Sequence, residues 1–271
     1  MECRDPELVP YIESLYGGFR AASGDAGARF RLERSPDGRR WRCESPSGAF
    51  AEWRDPVEAL AWLDDELTIG VQHRRPDLLF VHAAAIARDE RAVLLVAESG
   101  GGKSTTTWAA VHHGFALLSD EVAPVDPASL LVHPYPRAIC LKASPPRPYD
   151  LPPGSRHASG AHFVATRLLP MPPSPARPLA LIAFVSYRPQ DPRPSLRAVG
   201  AAESAARLYA NSLNVLAHGG EGLDAVTSLS EQVPSFLLHS GDLPATCALV
   251  ADALGRSAPR TSPATLRVRG G

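Results

Sequence analysis

The spacing of apolar and polar positions divides the chain into short alternating pieces near its start and longer apolar runs further on. Residues 30–53 alternate in three pieces, FRLER, RRWRCE and GAFAEW, separated by Ser-Pro-Asp-Gly and Ser-Pro-Ser-Gly. Alternation broken by turn formers predicts a small antiparallel meander. Asp55-Pro56 then offers an N-cap and a first-turn proline to the amphipathic VEALAWLDDEL, with Gly70 as its stop. The run LLFVHAAAIARDERAVLLVA reads as two strands joined by the polar tip Arg88-Asp89-Glu90-Arg91. If Ala87 faces Ala92 across that hairpin, His82 lies opposite Ala97.

Further along, residues 93–96 end a strand, 97–104 form a glycine-rich loop, and 105–113 form a helix closed by Gly114. FALLSDEV supplies the next strand, and a right-handed β-α-β crossover would bring its carboxyl end to the edge that carries the loop. LLVHPYPRAICLK is a strand interrupted by Pro134 and Pro136, which hold it to an edge or a bend. Residues 144–178 are rich in proline and in Arg147, Arg156, His157, Arg167 and Arg177, with Asp150 the only acid. Such a segment reads as a long irregular loop, either a mobile insertion or a basic lid. LALIAFVSY and SLRAV are strands, 201–216 and 222–229 helices, SFLLH a strand, and a last helix N-capped by Asp242 runs to Leu254. The expected division is an N-terminal α+β unit over 1–70, a main domain over 71–255 and a disordered tail over 256–271.

Composition narrows the class. With 271 residues, 44% of them hydrophobic, and a net charge of −1, the chain builds one main core and shows no global charge that would select nucleic acid or a membrane surface. Cys3, Cys43, Cys140 and Cys247 are scattered without a C-x-x-C pair, which fits a reducing compartment and argues against a structural zinc site. The start shows no signal pattern, and runs such as 179–185 are too short to span a bilayer. Trp41, Trp53 and Trp62 fall on the inward phase of their elements and read as core residues.

The glycine-rich loop carries the chemistry. In AESGGGKST, Gly100, Gly101 and Gly102 let backbone N–H groups close around phosphate oxygens, with Ser99 before them and Thr105 opening the helix whose dipole adds positive potential. Lys103 would reach the outer phosphates, and the Ser104 hydroxyl would sit where a Mg²⁺ ion bridging two phosphates takes an oxygen ligand. The strict phosphate-loop pattern has glycine at its first position, where this chain has Ala97, which is tolerable if that residue keeps a negative φ. Asp120 and Glu121 emerge at the same edge, where phosphoryl transfer needs one carboxylate for Mg²⁺ and one for the acceptor proton. Neighbouring strand residues point opposite ways, so both need not serve one centre. His82 is either a contact to the transferred phosphate or a histidine bonded at a strand end. Arg137 and Lys142 either supply transition-state charge or lie on the surface of an edge strand.

Taken together, HAAAIA, AESGGGKS, GFALLSDEV and HPYPRAICLK resemble the catalytic domain of HPr kinase/phosphorylase, and more closely the related kinases encoded with peptide-modifying systems, including lasso-peptide precursor kinases. The resemblance covers about residues 78–142. It implies an α/β fold with a P-loop kinase core of the HPr kinase C-terminal-domain type, an enzyme of the bacterial cytoplasm, and functional roles for His82, Lys103, Ser104 and Asp120. It makes Asp120 the general base and Glu121 the metal-side or supporting carboxylate. Ala97 departs from the family loop, and the glycine-isoleucine signature after the acid pair is absent, so the expectation does not extend to HPr or to the phosphorylase reaction.

The expected function is therefore an ATP- and Mg²⁺-dependent kinase acting on a hydroxyl, foremost Ser or Thr of a peptide or protein acceptor. Neither nucleic acid nor a membrane is expected as partner, and homo-oligomer formation is left open. A small-molecule kinase on the same scaffold and a nucleotide-binding regulator with little catalysis are the competing readings.

Overall fold

The computed structural model describes residues 2, 3, 5–19, 29–158, 160–171 and 173–257, and the chain folds as a mixed α/β protein. The expected meander is present. Strands β1 (Glu2–Cys3), β2 (Arg31–Arg34), β3 (Trp41–Glu44) and β4 (Phe50–Trp53) form a four-stranded sheet in that order, with β1 parallel to β2 and the rest antiparallel. Helices α1 (Val9–Tyr16) and α2 (Pro56–Arg74) accompany it, and Leu8, Phe30, Leu32, Trp41, Cys43, Ala59 and Leu63 form its core. Asp55 caps α2 as expected, its carboxylate accepting the Val57 N–H at 2.9 Å. Gly70 does not stop this helix, which continues to Arg74. A Cβ at Gly70 would come within 3.3 Å of the Phe30 ring, so the glycine serves close packing of helix on core.

The larger part begins with β5 (Leu79–Val81), β6 (Ala83–Arg88) and β7 (Arg91–Val96), so the first expected strand is broken at His82. The hairpin register is the expected one, Ala87 facing Ala92, and its tip holds Asp89 and Glu90 at φ of 51° and 61°. After α3 (Lys103–His112) comes β8 (Ala116–Ser119), which pairs antiparallel with β6. Strand β8 therefore runs parallel to β7 with β6 between them, and both end at the same edge. The strands β9 (Ala123–Val125), β10 (Leu131–Val132), β11 (Ile139–Leu141), β12 (Arg156–Ala158), β13 (Ala161–Val164), β14 (Arg177–Tyr187) and β15 (Ser195–Val199) follow. Helices α4 (Ala201–Ala210) and α5 (Gly220–Gln232), strand β16 (Ser235–Ser240) and helix α6 (Leu243–Arg256) complete the order. The main sheet runs β5-β9-β10-β14-β7-β6-β8, with β16 parallel to β14 and β15 on the outside of β16.

Burial on both faces explains the continuous apolar runs of the central strands. On one face Ile86, Val93, Leu95 and Leu181 pack with Trp108 of α3 and Val250 and Leu254 of α6. On the other, Leu94, Val96, Ile182 and Phe184 pack with Leu208 of α4 and Val226 and Leu229 of α5. The alternation within β7 assigns successive residues to opposite layers.

Three expectations are corrected. Residues 144–178 are not one irregular loop: β12 and β13 form a hairpin that extends β11 into a three-stranded sheet. Within that segment Tyr149 is buried, its carbonyl accepting the Trp108 indole N–H at 2.9 Å and its hydroxyl lying 2.7 Å from His113 Nε2. The expected helix over 201–216 ends at Ala210, because the next residues pair with β5. Leu213 N–H donates to the Phe80 carbonyl at 2.7 Å, and Phe80 N–H to the Asn214 side chain at 2.8 Å. A separate 3₁₀ turn then spans Val215–His218. Helix α5 exceeds the expected 222–229, whereas Asp242 caps α6 as expected. The expected tail lies, from residue 258 on, outside the described residues. Among the described residues no helix is long and apolar enough to cross a membrane.

Candidate active site

The loop between β7 and α3 has the conformation its glycines allow. Gly100 and Gly102 adopt φ of 84° and 91°, and Gly102 is the residue from which α3 starts. Both angles lie in the left-handed region, where any other residue is strained. A Cβ on Gly101 would lie 3.1 Å from both the Ala97 side chain and the Glu98 carbonyl, so this position is held by crowding. Ala97 itself has no positive φ and is buried, which leaves alanine unstrained at the start of the loop. Lys103, Ser104 and Thr105 occupy the first turn of α3, where N–H groups have no intrahelical acceptors.

Three side chains meet above that turn. Lys103 is buried, its ammonium 2.9 Å from Nε2 of His82 and 3.6 Å from the Glu121 carboxylate. His82 is held by its backbone N–H donating to the Asn211 carbonyl at 2.7 Å, and its Nδ1 lies 3.7 Å from Glu121. With the ammonium donating to Nε2, the neutral imidazole carries its proton on Nδ1. Burial lowers the affinity of Lys103 for its proton, against the pull of Glu121, and burial together with the Lys103 charge lowers that of His82. His82 is thus a neutral bridge between a cation and a carboxylate.

Asp120 is fully buried, and one of its oxygens accepts the Cys140 N–H at 2.9 Å. Its other oxygen has no partner, nor has the buried hydroxyl of Ser119 beside it. Burial, reinforced by the charge of Glu121, raises the Asp120 carboxyl to about 7, with the Cys140 N–H, Lys103 and Ser104 working in the opposite direction. Glu121 remains partly open, with 24% of its side chain exposed.

An orphaned carboxylate oxygen with Ser104 nearby is a hard-oxygen donor set that fits Mg²⁺. Among the described residues no group of three or more His, Cys, Asp or Glu side chains could hold a metal ion. Mg²⁺ here would complete its shell with phosphate oxygens and water.

The remaining candidates divide. Lys142 reaches over the loop and donates to the Ser99 hydroxyl. Arg137 is largely covered, with 15% of its side chain exposed, and pairs at 2.9 Å with Asp64 of α2, so it is not a surface residue of an edge strand. Of the basic residues in 144–178, Arg156 stacks 5.1 Å from the centre of the Tyr11 ring on α1. Sequence reasoning missed the Cys140 N–H, the Asn211 carbonyl and Asp64. Each acts across a long sequence separation, and the first two act through backbone atoms, which leave no mark on residue type.

No protein-family model matches the chain, and no curated protein matches it. Among solved structures it is similar to the Hpr(Ser) kinase/phosphatase from Coxiella burnetii at 13% identity and a TM-score of 0.34, over 66% of this chain and 99% of that one. The overlap of chain path is slight, and the functional reading rests on the site.

Proposed function

We propose that this protein is a kinase that binds ATP with Mg²⁺ and transfers the terminal phosphoryl group to a hydroxyl, that of Ser or Thr in a peptide or protein. The observation that carries the reading is the convergence of Lys103, His82 and Glu121 within 2.9–3.7 Å, at the start of a helix entered through left-handed glycines. Lys103 would exchange its bond to the neutral His82 imidazole for the outer phosphates, a contact in which both partners carry charge.

Access divides the two acids. Glu121 is open to solvent and adjoins His82, which suits it to take the acceptor proton, whereas Asp120 is sealed and lies near Ser104, which suits it to the metal side. This reverses the roles that the family resemblance implies. In the reaction the acceptor oxygen bonds to the terminal phosphorus, the bond to the bridging oxygen breaks, ADP leaves, and the acceptor proton passes to Glu121. The metal would contribute neutralisation of charge on the phosphate oxygens.

The test is terminally labelled ATP with Mg²⁺ over arrayed Ser- and Thr-containing peptides. Label should appear on a subset of peptides, and Lys103→Ala should weaken ATP binding about a hundredfold and abolish labelling. Tight ATP binding by the wild type without labelling of any peptide would overturn the peptide-kinase reading in favour of a small-molecule kinase or a regulator.

A further inference from the structure

The segment that leads into β11 runs beside the end of β8 and the acids that follow it, and is tied to them at both ends. Tyr135 N–H donates to the Leu118 carbonyl at 2.9 Å, and Cys140 N–H donates to Asp120 at 2.9 Å. Arg137 lies between these anchors with 15% of its side chain exposed. One arm of its guanidinium, Nη2, pairs with Asp64 at 2.9 Å, and the other oxygen of Asp64 accepts the Tyr16 hydroxyl. The Nε–H is buried without a partner. Asp64 belongs to α2 and Tyr16 to α1, and the next residue of α1 inward, Leu15, accepts the Ala138 N–H at 2.9 Å.

A buried donor left unpaired is costly, so an arginine held in this way within the field of Glu121 is completed by an acceptor brought to the site. Burial works against the charge of Arg137, but Asp64, Tyr16 and Glu121 together outweigh it, so the guanidinium keeps its proton. The cation is held within the electrostatic reach of Glu121 by a carboxylate that belongs to the N-terminal helices.

We propose that Asp64 is a positioning residue for phosphoryl transfer. It takes one arm of the Arg137 guanidinium, with the Tyr16 hydroxyl fixing the carboxylate from behind, and so aligns the remaining N–H groups with the acid pair where charge builds up on the transferring group. The inference rests on the kinase reading, and it makes α1 and α2 part of the site.

The experiment is a double-mutant cycle on the full chain, with the best-labelled peptide of the array as acceptor and rates normalised to ATP-binding stoichiometry. Asp64→Asn should lower kcat about tenfold or more while leaving the KM for ATP within about twofold. In an Arg137→Ala background the same substitution should have no further effect, because its target is gone. Tyr16→Phe should give a smaller loss with the same dependence on Arg137, and it carries the test if Asp64→Asn does not fold. Equal losses in both backgrounds, or no loss in either, would overturn the proposal and leave the kinase reading standing. A wild type that binds ATP but labels no peptide would overturn the peptide-kinase reading, and this proposal, which is tested on that reaction, with it.

Discussion

At the scale of single residues, the two adjacent acids offer the sharpest separation of roles. Asp120→Asn should remove the Mg²⁺ dependence of ATP binding, because an amide oxygen is a poor substitute for the charged ligand, and should lower affinity about tenfold in calorimetry with Mg²⁺. Glu121→Gln should bind ATP normally and lose transfer by about 10²- to 10⁴-fold, since an amide cannot take the acceptor proton. The opposite pattern would restore the roles implied by family resemblance. Asp120 also makes a stability prediction. Its folded-state value of about 7 exceeds an unfolded value of about 3.9, so between these the folded chain holds a proton that the unfolded chain has lost. Stability contributed by this group therefore falls as pH rises from about 4 to about 7, and the ionised carboxylate burdens the fold above that. Without nucleotide or metal, Asp120→Asn should melt higher than wild type at about pH 8, by roughly 2–4 °C per kcal/mol gained, and the gap should close near pH 4. Lys103, Ser104 and the acid pair were legible in the sequence because local spacing fixes a loop and a strand end. Which acid of the pair is sealed was not, because burial is set by tertiary packing.

At the scale of elements, the sequence was most legible where one period ran unbroken between turn signals, as in the hairpin β6–β7. The tip of that hairpin still carries strain. A two-residue turn with both φ positive favours Asn-Gly, and here Asp89 and Glu90 hold φ of 51° and 61°. Replacing them by Asn-Gly should stabilise the chain by about 1 kcal/mol in urea unfolding, with the slope unchanged. Elements were misread where a tertiary contact overrode a local signal. Gly70 signals a helix stop by composition but is a packing site for Phe30, and residues 211–214 continue a helical pattern that β5 captures. In 144–178 the prolines concealed a hairpin whose second strand, β13, pairs with β11.

At the scale of the whole molecule, the α/β class and the single edge gathering His82, the glycine-rich loop and Asp120 followed from the alternation of apolar runs with one helix. The strand order did not. The pairing of β14 between β7 and β16 joins segments far apart in sequence, and periodicity carries no information about which strands become neighbours. The same blindness hid the link from Asp64 to Arg137.

That strand order has a consequence for how the chain is made. Strand β7 finds one neighbour at once, through its hairpin with β6, but its other edge is covered only by β14, which lies beyond α3, β8 and the sheet around β11. A ribosome adding about 5–20 residues per second leaves that apolar edge open for several seconds after Val96 has emerged. During this interval the nascent chain presents an unpaired row of backbone donors and acceptors flanked by Val93, Leu94 and Leu95, the kind of surface on which strands of separate molecules join. Soluble yield in cells should therefore respond to translation speed between Val96 and Tyr187 and to holding chaperones, which synonymous-codon variants compared by soluble fraction would show.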